Sequence, residues 1–172
     1  MTLTRVAIFA GTHWTVGMLN TEGRRLNELA NDRTSDYLSL VEAQVHSEPD
    51  LRRPLTARTR VVIPKKGVTL IASLEDLHEA PENRRMYLQR KLAFAMFVTV
   101  PGAHITGKLH LPTRLDPVAL LSRLAAEGSG FFALADAEVT QLSLLGGADV
   151  AAVVLIAKQA LTGCHIGESP VG

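Results

Sequence analysis

The side chains able to do chemistry are few and scattered. Of the six histidines, His13, His46, His78, His104, His110 and His165, only His104 and His110 lie close together. On an extended strand they share a face but stand about 20 Å apart, too far for joint metal ligation, so no metal site is expected and the histidines are read as solvated or satisfied. Cys164 is the only cysteine, which excludes an intrachain disulfide and any zinc site with two or more thiolates. It falls in an expected last strand, where a buried, inert thiol is the simpler reading. Glu42, Asp136 and Glu138 are the carboxylates that could do acid–base work. An acid near the end of a buried strand more often serves structure, and Glu42 and Asp136 occupy matching places in two similar stretches. The sequence holds no G-x-S-x-G, P-loop, H-E-x-x-H or G-x-G-x-x-G. The expectation is a non-catalytic chain with no cofactor.

Basic residues offer a different chemistry. Arg52, Arg53, Arg58, Arg60, Lys65 and Lys66 lie in or near one loop and hairpin, and Arg84, Arg85, Arg90 and Lys91 flank Tyr87 in a charged segment. If they converge, they could contact several phosphates while Tyr87 stacks on a base. Glu75, Asp76, Glu79 and Glu82 lie close by in sequence and could neutralise such a patch, leaving a solvated mixed-charge connector.

Composition sets the frame for these groups. The chain has 172 residues, 47% of them apolar, and 18 basic against 17 acidic side chains give a net charge of +1. That is enough apolar material for a packed core and too little charge imbalance for a global pull toward nucleic acid or anionic lipid. No run of about 18 apolar residues could span a bilayer, and the N-terminal stretch lacks a sustained signal-peptide core. A cytoplasmic protein without a membrane partner is expected.

Along the chain, Thr4–Phe9 and Trp14–Leu19 read as a hairpin, Arg25–Ala30 as one helical turn, and Ser35–Val45 as a long strand. The strand's Tyr37, Ser39, Val41, Ala43 and Val45 face is expected to be buried throughout, and its Leu38, Leu40, Glu42 and Gln44 face only in the first half. Arg58–Ile63 and Val68–Ala72 complete five strands around the break at 64–67. After a charged connector the pattern returns. Leu92–Val100 is a buried strand, and Gly107 and Leu109 fall where Gly17 and Leu19 stood. Leu115–Ala126 is a helix capped by Asp116-Pro117. Ser129–Val139 (SGFFALADAEV) matches Ser35–Val45 (SDYLSLVEAQV), and Ala151–Lys158 matches Arg58–Lys65. The fold class is therefore mainly β with short helices, as two duplicated small β-barrel or sandwich units related by a repeat of about 90 residues. The expected boundaries are 1–74 for the first unit, 75–91 for a partly helical charged connector, 92–166 for the second unit and 167–172 for a fraying polar tail.

Three short pieces recur in each unit. They are Val16-Gly17-Met18-Leu19, Leu40-Val41-Glu42-Ala43 and Val61-Val62-Ile63 in the first, and Thr106-Gly107-Lys108-Leu109, Leu134-Ala135-Asp136-Ala137 and Val153–Ile156 in the second. This arrangement resembles the Sm-like small β-barrel and the related SH3-like barrels. The resemblance implies RNA binding, with Lys66-Gly67 standing where such proteins carry a basic-Gly pair; the second unit has Gln159-Ala160 there. Two functions follow as expectations. One is an interaction or assembly module that uses open strand edges for self-association or a protein partner. The other is RNA binding through the basic hairpin and connector. A small-ligand pocket between the units stays open as a third.

Overall fold

The computed structural model describes residues 2–75, 91–111, 116, 119–120, 122, 124 and 130–171. The expected connector, with Arg84, Arg85, Tyr87 and Arg90, lies almost wholly outside the described residues.

Among the described residues, ten strands form one open antiparallel sheet. In chain order these are β1 (Leu3–Ala10), β2 (His13–Asn20), helix α1 (Leu26–Asn31), β3 (Tyr37–Ser47), β4 (Thr56–Pro64), β5 (Val68–Ser73), β6 (Leu92–Val100), β7 (Ala103–Leu111), β8 (Phe131–Val139), β9 (Val150–Ala157) and β10 (Gly163–Val171). Single 3-10 turns follow β4, β8 and β9. Between β7 and β8, Ala119, Leu120, Ser122 and Leu124 are helical. The Asp116 carboxylate accepts the Ala119 N–H at 3.3 Å, as an N-cap should.

Spatial order across the sheet is β10-β6-β7-β8-β9-β5-β1-β2-β3-β4. Each half of the chain is thus a meander whose fifth strand returns beside its first, and the two halves share one sheet through β9 and β5. The expectation is two small β-barrel or sandwich units; among the described residues the halves share one sheet that stays open, since β4 pairs only with β3 and β10 only with β6.

The pairing registers of the halves coincide. Val6 faces Gly17 as Met96 faces Gly107. Leu40 faces Val61 as Leu134 faces Val154, and Phe9 faces Leu70 as Thr99 faces Gly163. The turn bonds also correspond, with Lys65 N–H donating to the Asp36 carbonyl at 2.8 Å and Lys158 N–H to that of Gly130 at 3.0 Å.

Each half carries the same bulge. Opposite Gly17 the register slips so that Val16 pairs with Gln44 and Met18 with Val41, leaving Glu42 and Ala43 against one residue. Opposite Gly107 the slip falls between Thr106 and Lys108. Glu42 (φ 51°) and Asp136 (φ 47°) take the left-handed conformation there, which re-aims the strand. The burial of Leu38 and Leu40 agrees with the expected first half of β3, but the face expected to be buried throughout is not buried throughout. The extra residue changes the alternation, so Leu38 and Leu40 are buried before the bulge and Ala43 and His46 after it, while Tyr37 is 54% exposed.

Alternation on the middle strands feeds two cores. Val6 and Ile8 of β1, Ile71 of β5 and Leu155 and Ala157 of β9 join Leu19, Leu40, Ala43 and Ile63, covered by Leu26 and Ala30 of α1. Ala7 and Phe9, Leu70 and Ala72, and Val154 and Ile156, on the other side of the same strands, join Met96, Val98, Leu109, Leu134 and Ala137. Both faces of β9, β5 and β1 are therefore buried. The tail also differs from expectation. After a register shift that takes up residues 167–169, Pro170 and Val171 pair with Phe94 and Ala93, so β10 holds the chain end on the sheet.

A Cβ on Gly17 would sit 3.1 Å from the Val41 carbonyl oxygen and 3.2 Å from the Ala43 Cα, and one on Gly107 3.0 Å from the Ala137 Cβ. Gly17→Ala or Gly107→Ala should therefore destabilise by about 1–3 kcal/mol. Glu42→Gly should stabilise by about 0.5–1 kcal/mol, because removing the left-handed Cβ clash outweighs the added chain entropy. Denaturant unfolding midpoints of the three variants check both signs.

Candidate docking edges and the joint between the halves

An edge strand exposes backbone N–H and C=O groups that a further strand can satisfy. One such meeting is made inside this chain. Leu70, Ile71 and Ala72 of β5 pair with Ile156, Leu155 and Val154 of β9, and all six are fully buried. Side chains lock the joint. Asn31, at the end of α1, accepts the Phe131 N–H on Oδ1 at 2.8 Å and donates from Nδ2 to the Phe131 carbonyl at 3.2 Å, so its amide acts as a short strand partner. A Cβ at residue 130 would lie 2.7 Å from that Oδ1, which explains Gly130, at φ 90°. Gln159 Nε2 donates to the Lys66 carbonyl at 3.0 Å, and Arg5 Nη1 to that of Gly146 at 3.4 Å.

The outer strands β4 and β10 repeat the two roles without a described partner. Tyr37, Val62 and Pro64 form one exposed apolar patch near the β4 edge. Tyr37 pairs with Pro64 and Ser39 with Val62, placing Tyr37 and Val62 diagonally on the same face, and Val62 is 55% exposed. At the opposite end, Phe97 is 43% exposed. It stacks on His104 with ring centroids 6.1 Å apart and pairs with exposed His165. Cys164 is partly buried beside it, and burial pushes its thiol pKa up.

The expected basic residues separate. Arg58 and Arg60 are exposed on β4 and Lys66 is exposed just after it. Lys65 turns inward, and its Nζ donates to the carbonyls of Leu29 at 2.9 Å and Asp32 at 2.7 Å, closing the C-terminal end of α1. Burial lowers its pKa, against the pull of the Asp32 charge. The Asp32 carboxylate is held far below its usual range by the Thr34 hydroxyl, the Thr34 N–H and Arg24, in that order. Glu42 and Asp136 sit exposed at the two bulges, the latter 3.3 Å from Lys108. Among the described residues no group of three His, Cys, Asp or Glu could hold a metal ion, and no helix is long and apolar enough to cross a membrane.

Sequence reasoning missed the pairing of buried Trp14 with buried His46 on neighbouring strands. Trp14 packs on Phe9 with centroids 4.9 Å apart. The His46 Nδ1 meets the Leu51 carbonyl at 2.8 Å, drawing Leu51 into the core.

Lys65→Met removes two charge-assisted bonds to α1, and solvent screening leaves a loss of about 1 kcal/mol. A lowered unfolding midpoint checks this; an unchanged one would release Lys65 from its structural role. In comparisons with known proteins, no family model, curated protein or solved structure matches the chain.

Proposed function

We propose that this chain is a non-catalytic interaction and assembly module built from two tandem small β units, an internal duplication of the Sm-like or SH3-like kind that its motifs resemble. The observation that carries the reading is the β4 edge. Among the described residues it combines backbone groups with no strand partner and the exposed Tyr37, Val62 and Pro64 patch, where strand addition supplies both main-chain bonds and apolar contact. The matching registers of the halves support the duplication. The bulges give Glu42 and Asp136 a structural role that accounts for their recurrence without chemistry.

The RNA-binding alternative draws, among the described residues, on exposed Arg52, Arg53, Arg58, Arg60 and Lys66, a phosphate footprint confined to one loop and hairpin. Retention on single-stranded RNA that falls steeply as salt rises would favour it over the assembly reading.

The test is to purify the tagged chain from its native cells at physiological salt and measure its complexes by native mass spectrometry. A stoichiometric protein complex, with the same or a different chain, is expected. Val62→Lys should release the partner while changing stability by no more than about 0.5 kcal/mol. A wild-type chain recovered alone and monomeric would overturn the reading.

A further inference from the structure

We infer that the occupant of the β4 edge is the β10 edge of a second copy of this chain, added head to tail in the register of the internal β9·β5 joint. This rests on the assembly reading and names its partner.

The internal joint supplies the template. The shared registers place Val61, Val62 and Ile63 at the positions of Val154, Leu155 and Ile156, and Gly163, Cys164 and His165 at those of Leu70, Ile71 and Ala72. Transferring the joint pairs Ile63 with Gly163, Val62 with Cys164 and Val61 with His165 across two copies. Burial singles out the surface concerned. Phe131, Leu155 and Ala157 are buried together at the internal joint, whereas their counterparts Tyr37, Val62 and Pro64 are all exposed. The same apolar triangle is covered once and open once.

The receiving side matches as well. Leu155 packs in the core that holds Ile71, Ile8 and Val6. Their counterparts Cys164, Val98 and Met96 lie together in the other core, and there Cys164 is only partly covered. Val62 of an added copy would lie over Cys164 as Leu155 lies beside Ile71. Arg58 and Arg60 stand outside the three-residue segment that pairs, so the transferred joint sets neither charge directly opposite a residue of the added strand.

The two edges are different surfaces, so the contact is heterologous and repeats from copy to copy until the rotation closes. It is also weaker than its template. The Asn31 clamp depends on Gly130, and the counterpart of Gly130 is Asp36, so association should be reversible and concentration-dependent.

Val62→Cys tests the register directly, because directly opposed strand residues fall within disulfide reach. Diamide oxidation of V62C, read on non-reducing gels and by peptide mass spectrometry, should give a ladder of covalent oligomers joined by residue 62 to Cys164. V62C combined with Cys164→Ser should give none. Light scattering should show unmodified wild type above monomer mass and Val62→Lys, folded by circular dichroism, at monomer mass. V62C that stays monomeric on oxidation would overturn the inference, as would cross-links that persist without Cys164, since these join β4 to β4. A wild type monomeric by itself but bound to a different protein through Val62 would overturn the self-pairing and leave the assembly reading standing.

Discussion

The hydrogen-bonded joint of β5 with β9 is the constraint on which the rest of the molecule depends. Each half of the chain is a five-stranded meander with one strand at either edge, and an edge strand is stable in water only if its open backbone groups are solvated, protected or paired. The chain pairs one edge of each half with the other. Once that happens, β9, β5 and β1 lie between two cores and must be apolar on both faces. That is why AIF, LIA and VLI stand in these strands without a polar residue at alternate positions. Alternation in the outer strands can then serve one core and solvent.

A second constraint follows from enclosing those cores. A flat sheet would leave the apolar faces of β3 and β8 without cover, and the bulges at Glu42 and Asp136 turn each strand at the same point relative to its neighbour. The partner position must accept a close backbone approach, which only glycine provides, so Gly17 and Gly107 follow from the bulge. Neither bulge carries a glycine of its own. Each instead holds an exposed acid in a left-handed conformation, at a cost of about 1–2 kcal/mol.

Much of this was legible in the sequence, and what was not has a physical reason. Strands such as Leu92–Val100 and Phe131–Val139 announce themselves through apolar, β-branched and aromatic runs between turns, and the recurrence of Gly17 and Gly107 aligned the halves. The exposure of Tyr37 and the burial of His46 are not legible in β3, because its bulge residue is Glu and an acid in a strand gives no local signal of a phase change. The joint itself was not readable. Pairing of β5 with β9 links segments far apart in the chain, and the two-sided burial of LIA and VLI is its only trace. Lys65 and Lys66 look alike in the sequence because both are basic and adjacent. Their roles diverge through the direction of two neighbouring side chains, which composition does not report. The buried pairing of Trp14 with His46 depends on register, and register is fixed by the bulge.

Charge placement on β4 bears on how its edge can be used. Full antiparallel pairing of Thr56–Pro64 with the same strand of another copy sets Arg60 against Arg60, with Arg58 facing Val62. Like charges directly opposite one another destabilise a strand pair, so β4 disfavours its own copy as a symmetric partner. Pairing confined to residues 61–63 avoids both arginines, and the internal joint pairs only the corresponding segment, 154–156. The alternation of arginines and Val62 along one strand therefore has a consistent physical sense. In the proposed assembly the arginines would limit indiscriminate strand addition, and the short apolar segment beside them would admit a partner in one register.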